Sequence, residues 1–264
     1  MAVIGFVLVA TVVLLAVFST WVTPYDYRVT NARNRLQPPS ASHLIGTDHL
    51  GRDLLTRVIH GGRISLQIGL FAVLIATGVG AFVGLVSGYF GGRLDSALMR
   101  MTDVFMSIPG FYLILLITGV FGASTRNTML VIGFVGWPMC ARIVRGETLS
   151  LKNSEFISAA VSQGASSVRI IIRHVLPNVV APLVVFATLF AAHAIITEAG
   201  LSFLGLGAQP PEPSWGNILS EGRGVIYMAW WVATFPGIMI LMTVLGLNFM
   251  GDGLRDALDP KLGE

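Results

Sequence analysis

"EFISAAVSQGASSVRIIIRHVLPN", residues 155–178, interrupts a chain that is otherwise apolar enough to live in lipid. It places two alanines (Ala159, Ala160) and Gly164 ahead of Arg169, Arg173, His174 and Leu176-Pro177. Ser154 is positioned to cap a helix starting at Glu155, whose carboxylate suits the positive end of the helix dipole. Ala159 and Ala160 carry almost no side chain, so another surface can approach that helix closely. Gly164 can take the backbone conformation that ends one helix and turns the chain into a second. Ser166 or Ser167 starts the second helix, and Pro177 opens the next apolar run. The expectation is a short helix-turn-helix outside the membrane. An ordinary connection is the competing reading, but residues 146–178 form a segment far longer than connections usually are.

Around this segment the composition is that of a membrane protein: 54% of residues are hydrophobic and 12% charged, about half the charge of a soluble domain. Residues 3–22 contain no charge and are long enough to cross a bilayer core. A cleaved signal peptide is the rival for this run. It lacks a basic start and a small-x-small site, and more runs follow, so an uncleaved helix is expected. Further apolar runs at 64–90, 104–121, 127–144, 179–200 and 225–250 predict an all-α membrane protein of six transmembrane helices. Six spans put both termini on one side. Lys and Arg divide nine against eight between the two sides, so charge does not orient the chain. The lone Cys140 excludes a disulfide framework. The basic residues are scattered and net only +3, which argues against a nucleic-acid partner.

Ala76, Gly80, Gly84, Gly88 and Gly92 recur at four-residue spacing, a helix-packing stripe that lets another helix approach closely. The stripe serves packing within the chain or a seam between subunits. Pro109, Pro138 and Pro236 interrupt three of the runs and permit kinks. "GTDHLGRDLLTRVIHGGR" (46–63) reads as a short amphipathic helix capped by Thr47 or Asp48 and ended by Gly61-Gly62, with Asp53 and Arg57 one turn apart. On such a helix His49 and His60 lie ~16 Å apart, so the helix alone makes no metal site. Glu198 lies at the end of the fifth run. An ionisable residue there is a functional candidate, or a carboxylate reaching the water interface. Glu198, His193 and Phe203 are the candidates for a pathway or its gate. No nucleotide-binding phosphate loop, H-E-x-x-H or G-x-S-x-G occurs, and the spans lack the buried charges of a proton-coupled carrier. Neither a catalytic nor a metal site is assigned.

The order Ala159-Ala160, three residues, Gly164, eleven residues, Leu176-Pro177 resembles the EAA motif of ABC importer permeases. Two more stretches, "GTDHLGRDLLTRVIHGGRISL" (46–66) and "EAGLSFLGLGAQPPEPSWGNIL" (198–219), resemble the dipeptide, oligopeptide and nickel permeases, particularly their dipeptide permease C type. The resemblance runs from about residue 38 onward. It implies the type I permease fold, a non-catalytic subunit, and a coupling helix that docks into a groove of an ATP-binding subunit. Glu155, Ser158, Ala159, Ala160, Gly164, Arg169, His174, Leu176 and Pro177 then form the coupling loop, although Ser158 stands where the motif usually has Glu and His174 where an aliphatic residue is common. The implied assembly contains a second homologous permease, two ATP-binding subunits that hold ATP and Mg, an external solute-binding protein, and membrane lipid. In an inner membrane this places both termini in the cytoplasm. The chain is one permease domain: first span 1–22, external segment 23–62, five-span core 63–250 with coupling loop 146–178, and cytoplasmic tail 251–264. Peptides are the expected cargo, nickel or haem the alternatives within the family. A self-sufficient channel or secondary carrier is the alternative outside it.

Overall fold

The computed structural model describes residues 1–258, and among these it contains helices and connections but no named strand. The helices are α1 (Ala2–Val17), α2 (Ser19–Val22), α3 (Leu54–Phe90), α4 (Gly92–Ser107), α5 (Gly110–Phe121), α6 (Thr125–Lys152), α7 (Glu155–Ser162), α8 (Ser167–Ile170), α9 (Leu176–Phe203), α10 (Trp215–Arg223) and α11 (Trp231–Leu258). Among the described residues four helices are long and apolar enough to cross a bilayer: α3, α6, α11, and α8 through α9 taken as the single helix Ser167–Phe203. The pair α4–α5 passes as a fifth, bent by 83° at its break. At 16 residues, about 24 Å, α1 is shorter than the usual span, and α2 carries its apolar run on to Val22. The second, fourth and fifth apolar runs are helical throughout, the first is short and interrupted at Phe18, the third is broken, and the sixth becomes helical only from Trp231.

The break has a local cause. Pro109 has no N–H to donate, and it holds Ile108 in extended backbone (φ −98°, ψ 127°), so α4 ends and α5 starts in a new direction. Residues 92–103, expected as a connection, belong to α4.

Helix α3 spans 37 residues, about 55 Å, and organises the molecule. Its first turns pack in a cluster with Val12, Trp215, Ile218, Trp231 and Val232. Its far end, at Leu85, joins Val144, Ile157, Ile170 and Val175. Elements α10 and α7 thus sit at opposite ends of the bundle. The small residues of α3 lie against α6: an added Cβ would fall 2.4 Å from Cys140 Cβ at Gly80, 2.6 Å from the Ala141 carbonyl at Gly84, and 2.7 Å from Thr148 Cβ at Gly88. That contact is inside the chain. Gly92 departs from the stripe, because α3 ends at Phe90 and Gly92 (φ +60°) starts α4 with open space around it.

The expected helix over 46–63 is not formed. Residues 46–53 are a folded connection, α3 starts at Leu54, and Gly61-Gly62 lie inside it. Asp53 is the cap: its carboxylate accepts from Thr56 N at 2.8 Å and from Thr56 Oγ1 at 2.7 Å. It pairs with His43 Nδ1 at 2.9 Å and not with Arg57. The glycines are needed for packing, since Gly61 faces Ile218 and Ser214 while Gly62 faces the Trp215 ring at 2.9 Å. The segment assigned to 23–62 accordingly ends at 53, and the residues assigned to a tail are helical through Leu258. The tail reading for 259–264 lies outside the described residues.

Candidate functional site

Helix α6 closes at Lys152, and Ser154 Oγ donates back to the Leu151 carbonyl at 2.6 Å. Ser154 holds the position that precedes α7, but its hydroxyl finishes α6 and does not cap α7. Helix α7 is anchored by one fully buried residue. Ile157 is 2% exposed in the cluster with Leu85, Val144 and Ile170, a burial worth about 1.5–3 kcal/mol. Its other faces are open: Glu155, Ser158 and Ala159 are exposed, and so is Phe156.

The turn after α7 is a Schellman arrangement. Ala165 N donates to the Ala160 carbonyl at 3.1 Å and Gly164 N to the Val161 carbonyl at 2.9 Å, with Gly164 left-handed at φ +79°. Ala160 and Ala165 both pack on the anchoring cluster, which supplies the hydrophobic contact of the motif. Ser166 Oγ then accepts from Arg169 N at 3.4 Å and caps α8.

The second helix of the expected helix-turn-helix is not separate. It continues from Ser167 through a π turn (Ile171–Val175) into α9 without a break at Leu176-Pro177. A proline in a helix interior clashes with the carbonyl four residues back, here that of Arg173. The widened turn contains Arg173 and gives that carbonyl room. His174 lies in the same turn, and its carbonyl accepts from Asn178 Nδ2 at 2.7 Å. The part between spans is therefore 153–166, much shorter than 146–178. Val168 and Ile172 are 63% and 60% exposed, and Phe156 and Val161 of α7 are exposed as well.

At the other end, the 23–53 connection and α10 are tied by buried charges. Asp48 accepts from Leu50 N, Arg52 N, Arg52 Nε (2.6 Å) and Arg57 Nη1 (2.6 Å). Glu221 on α10 accepts from Arg57 Nη2 at 3.0 Å and Arg52 Nη2 at 3.2 Å. Burial pushes the Asp48 carboxyl up, but Arg57, Arg52 and the backbone N–H groups outweigh it, so its pKa lies below the ordinary 3.8. A depressed carboxylate contributes stability above its unfolded pKa and loses it on acidification. The contribution of the network should therefore be present in full above the ordinary 3.8 and be lost as pH falls from there through the depressed folded-state pKa. Asp48→Asn should cost about 2–3 kcal/mol at neutral pH, read as a lower unfolding midpoint in detergent, and the difference from the parent should shrink as pH falls below 3.8. Asp48, His49 and Glu221 also bring ligand atoms within 4.8 Å of one another. Two guanidinium groups occupy the carboxylate oxygens there, so the set is a salt-bridge network and a poor cation site.

The three pathway candidates lie in three different places. His193 is exposed beside Phe190, in a cavity of about 510 Å³ between the α4–α5 break, α6 and α9. Phe203 is at the end of α9, with the Arg223 guanidinium 5.0 Å above its ring. Glu198 is fully buried and reaches neither cavity nor interface. It accepts from Ser65 Oγ at 3.0 Å and Ser202 Oγ at 2.6 Å. Ser65 Oγ accepts in turn from Trp215 N, and Ser214 Oγ, which caps α10, donates to Ser202 Oγ. Glu198 is thus the acceptor that fastens the start of α10 to α3 and α9. Sequence reasoning missed Ser65, His43 and Glu221 as partners, because they are 133, 10 and 164 residues from the groups they meet.

The family model "Binding-protein-dependent transport system inner membrane component" matches residues 80–264, and "N-terminal TM domain of oligopeptide transport permease C" matches 1–39. Similarity thus reaches the N-terminal span, beyond the stretch that carries the motifs. The chain is 45% identical to the dipeptide transport system permease protein DppC of Alkalihalophilus pseudofirmus, over 99% of this chain and 86% of that protein. It is 43% identical to the di/tripeptide transport system permease protein DppC of Pseudomonas aeruginosa, over 98% and 87%. It is 44% identical to the glutathione transport system permease protein GsiD of Escherichia coli, over 99% and 87%. Its fold matches a chain in a crystal structure of inward facing conformations of the MetNI methionine ABC transporter, with TM-score 0.63 and 19% identity, over 77% of this chain and 96% of that one. With a family model covering most of its length and relatives above 40% identity end to end, this multi-pass membrane chain belongs to the binding-protein-dependent transport system inner membrane components, and it has the type I permease fold.

Proposed function

We propose that the chain is a non-catalytic permease subunit of an ATP-driven importer, forming with a second, homologous permease the pathway for di- or oligopeptides delivered by a solute-binding protein. The observation that carries this is the 43–45% identity, over nearly the whole chain, to proteins named as dipeptide and di/tripeptide permeases. In this reading the α7 end faces the cytoplasm and the α10 end the outside, so both termini are cytoplasmic. Partner ATPases, which hold ATP and Mg, cover the exposed residues Phe156, Ala159 and Val168. Right-side-out vesicles loaded with ATP should take up labelled dipeptide when the binding protein is added. Uptake that needs no ATP, by a chain that purifies without an ATPase, would instead identify a secondary carrier.

Orientation has its own test. Ser42 and Glu212 are exposed at the α10 end, so cysteines there should react with an impermeant thiol reagent in intact cells. Ser214 sits in the same connection but is fully buried, and a cysteine there should stay unlabelled. Labelling of the first two only after the membrane is opened would invert the topology.

Glu155 and Ser158 lie three residues apart on the exposed side of α7. Glu155 can supply the carboxylate that the motif usually carries at position 158. Glu155→Gln should weaken ATPase co-purification by about two- to fivefold, the worth of one exposed pair, and adding Ser158→Glu should restore it. If Glu155 acts only on the helix dipole, a carboxylate at the end of the first turn rescues poorly. Unchanged co-purification of Glu155→Gln removes the coupling role.

A further inference from the structure

A cleft of about 600 Å³ opens between α1, α3, α9 and α11, and this feature is separate from the coupling segment and the α10 cap. Its walls are apolar along most of their length, including Val9 and Val13 of α1 and Leu70 and Val73 of α3. Arg63 and Gln67 of α3 line it at one end. The depth of that end follows from packing. Gly62 faces Ala16, so Arg63 is level with the last turn of α1. Trp21 follows about one turn later and is 84% exposed, a residue type that marks the bilayer–water interface. From Arg63 to Val73 the cleft follows α3 for about 15 Å toward the bilayer interior.

Arg63 is exposed and forms no ion pair among the described residues. Elsewhere at this end of the molecule Arg52 and Arg57 are fully engaged with Asp48 and Glu221. A free guanidinium at headgroup depth, above an apolar shaft that descends one leaflet, has the polarity of a phospholipid with its anionic head uppermost. A long basic side chain can lay its stem along apolar surface and carry its charge to that level. We propose that this cleft is a binding site for one anionic phospholipid of the leaflet at the α10 end. Its headgroup lies on Arg63 and Gln67, and an acyl chain lies along Val13, Leu70 and Val73. The inference requires only that the chain spans a bilayer, so it stands or falls independently of the peptide-import reading.

The test is native mass spectrometry of the purified assembly, titrated with phosphatidylglycerol or phosphatidylcholine carrying identical acyl chains. The parent protein should retain phosphatidylglycerol more tightly at one site per copy of this chain. Arg63→Gln should reduce that preference by about fivefold, the worth of one basic residue at an anionic surface, with phosphatidylcholine binding unchanged. Leu70→Trp fills the shaft from a position already 57% exposed, so it spares the packing and should remove the site for both lipids. Equal retention of the two lipids by the parent, or no effect of Leu70→Trp, overturns the proposal. Efficient disulfide cross-linking of Leu70→Cys to the partner permease overturns it too, by showing that a protein helix fills the cleft.

Discussion

Gly164→Val is expected to abolish peptide uptake while leaving the chain in the membrane at its normal level. Space is not the obstacle, because a Cβ at Gly164 would meet nothing within 4 Å. The obstacle is the backbone. At φ +79° an ordinary residue carries a penalty of roughly 1–2 kcal/mol, and a β-branched one is a genuine outlier. The substituted valine would therefore relax toward negative φ, and the Schellman bonds donated by the N–H groups of positions 164 and 165 would be lost with it. Those bonds set the angle between α7 and the helix that begins at Ser167. Only Ile157 anchors α7 as a fully buried side chain, so a helix of eight residues would lose its fixed direction. The spans are untouched, so membrane levels should hold while ATPase co-purification or coupling fails. Gly164→Ala should fall between the two. Normal uptake by Gly164→Val at normal expression would show that the turn geometry is not what couples this chain.

The turn after α7 was legible because its determinants are local. A left-handed glycine after α7 and the small residues before it act within a few residues of one another, whereas Ser154 finishes α6 and does not cap α7. The same local logic failed at Pro177, where a π turn inside the helix absorbs a proline that by residue type should open a new one. It failed again at Gly61-Gly62. Two adjacent glycines imitate a helix end, yet here they make room for Trp215 and Ile218, more than 150 residues later. By residue type Thr47 or Asp48 is the expected cap, and Asp53 the expected partner of Arg57. Only the arginines and Glu221 decide that Asp48 serves the ion network and Asp53 the helix. Glu198 shows the limit most clearly. A carboxylate near the end of a span signals function or a water interface by default. Its three-serine setting, which makes it a fastening point for α10, draws on α3, α9 and the residue before α10, and no sequence window contains all three.

Gly84→Val should prevent the chain from accumulating as a folded membrane protein. Glycine stripes in membrane helices serve either packing within a chain or contacts between chains, and this substitution separates the two. An added Cβ would lie 2.6 Å from the Ala141 carbonyl oxygen, 2.7 Å from Val144 Cβ and 2.9 Å from Arg145 N. Two of these three neighbours are backbone atoms of α6, which cannot rotate away as a flexible side chain can. Overpacking a well-filled site usually costs about 1–3 kcal/mol. The larger end applies here, because α3 must move bodily from α6 and would lose the contacts at Gly80 and Gly88 as well. Helix association in lipid has no hydrophobic drive to compensate, so close packing and polar contacts across the pair are what hold it. Gly78 supplies the control: it lies on the same helix between the same ends, with nothing within 4 Å of its Cβ position. Gly78→Val should accumulate normally, and Gly84→Val should be degraded or aggregate when each is expressed alone. If Gly84→Val instead accumulates alone and fails only to assemble with the second permease, the stripe is a seam between subunits, and the close approach of α3 to α6 is not what holds this chain together.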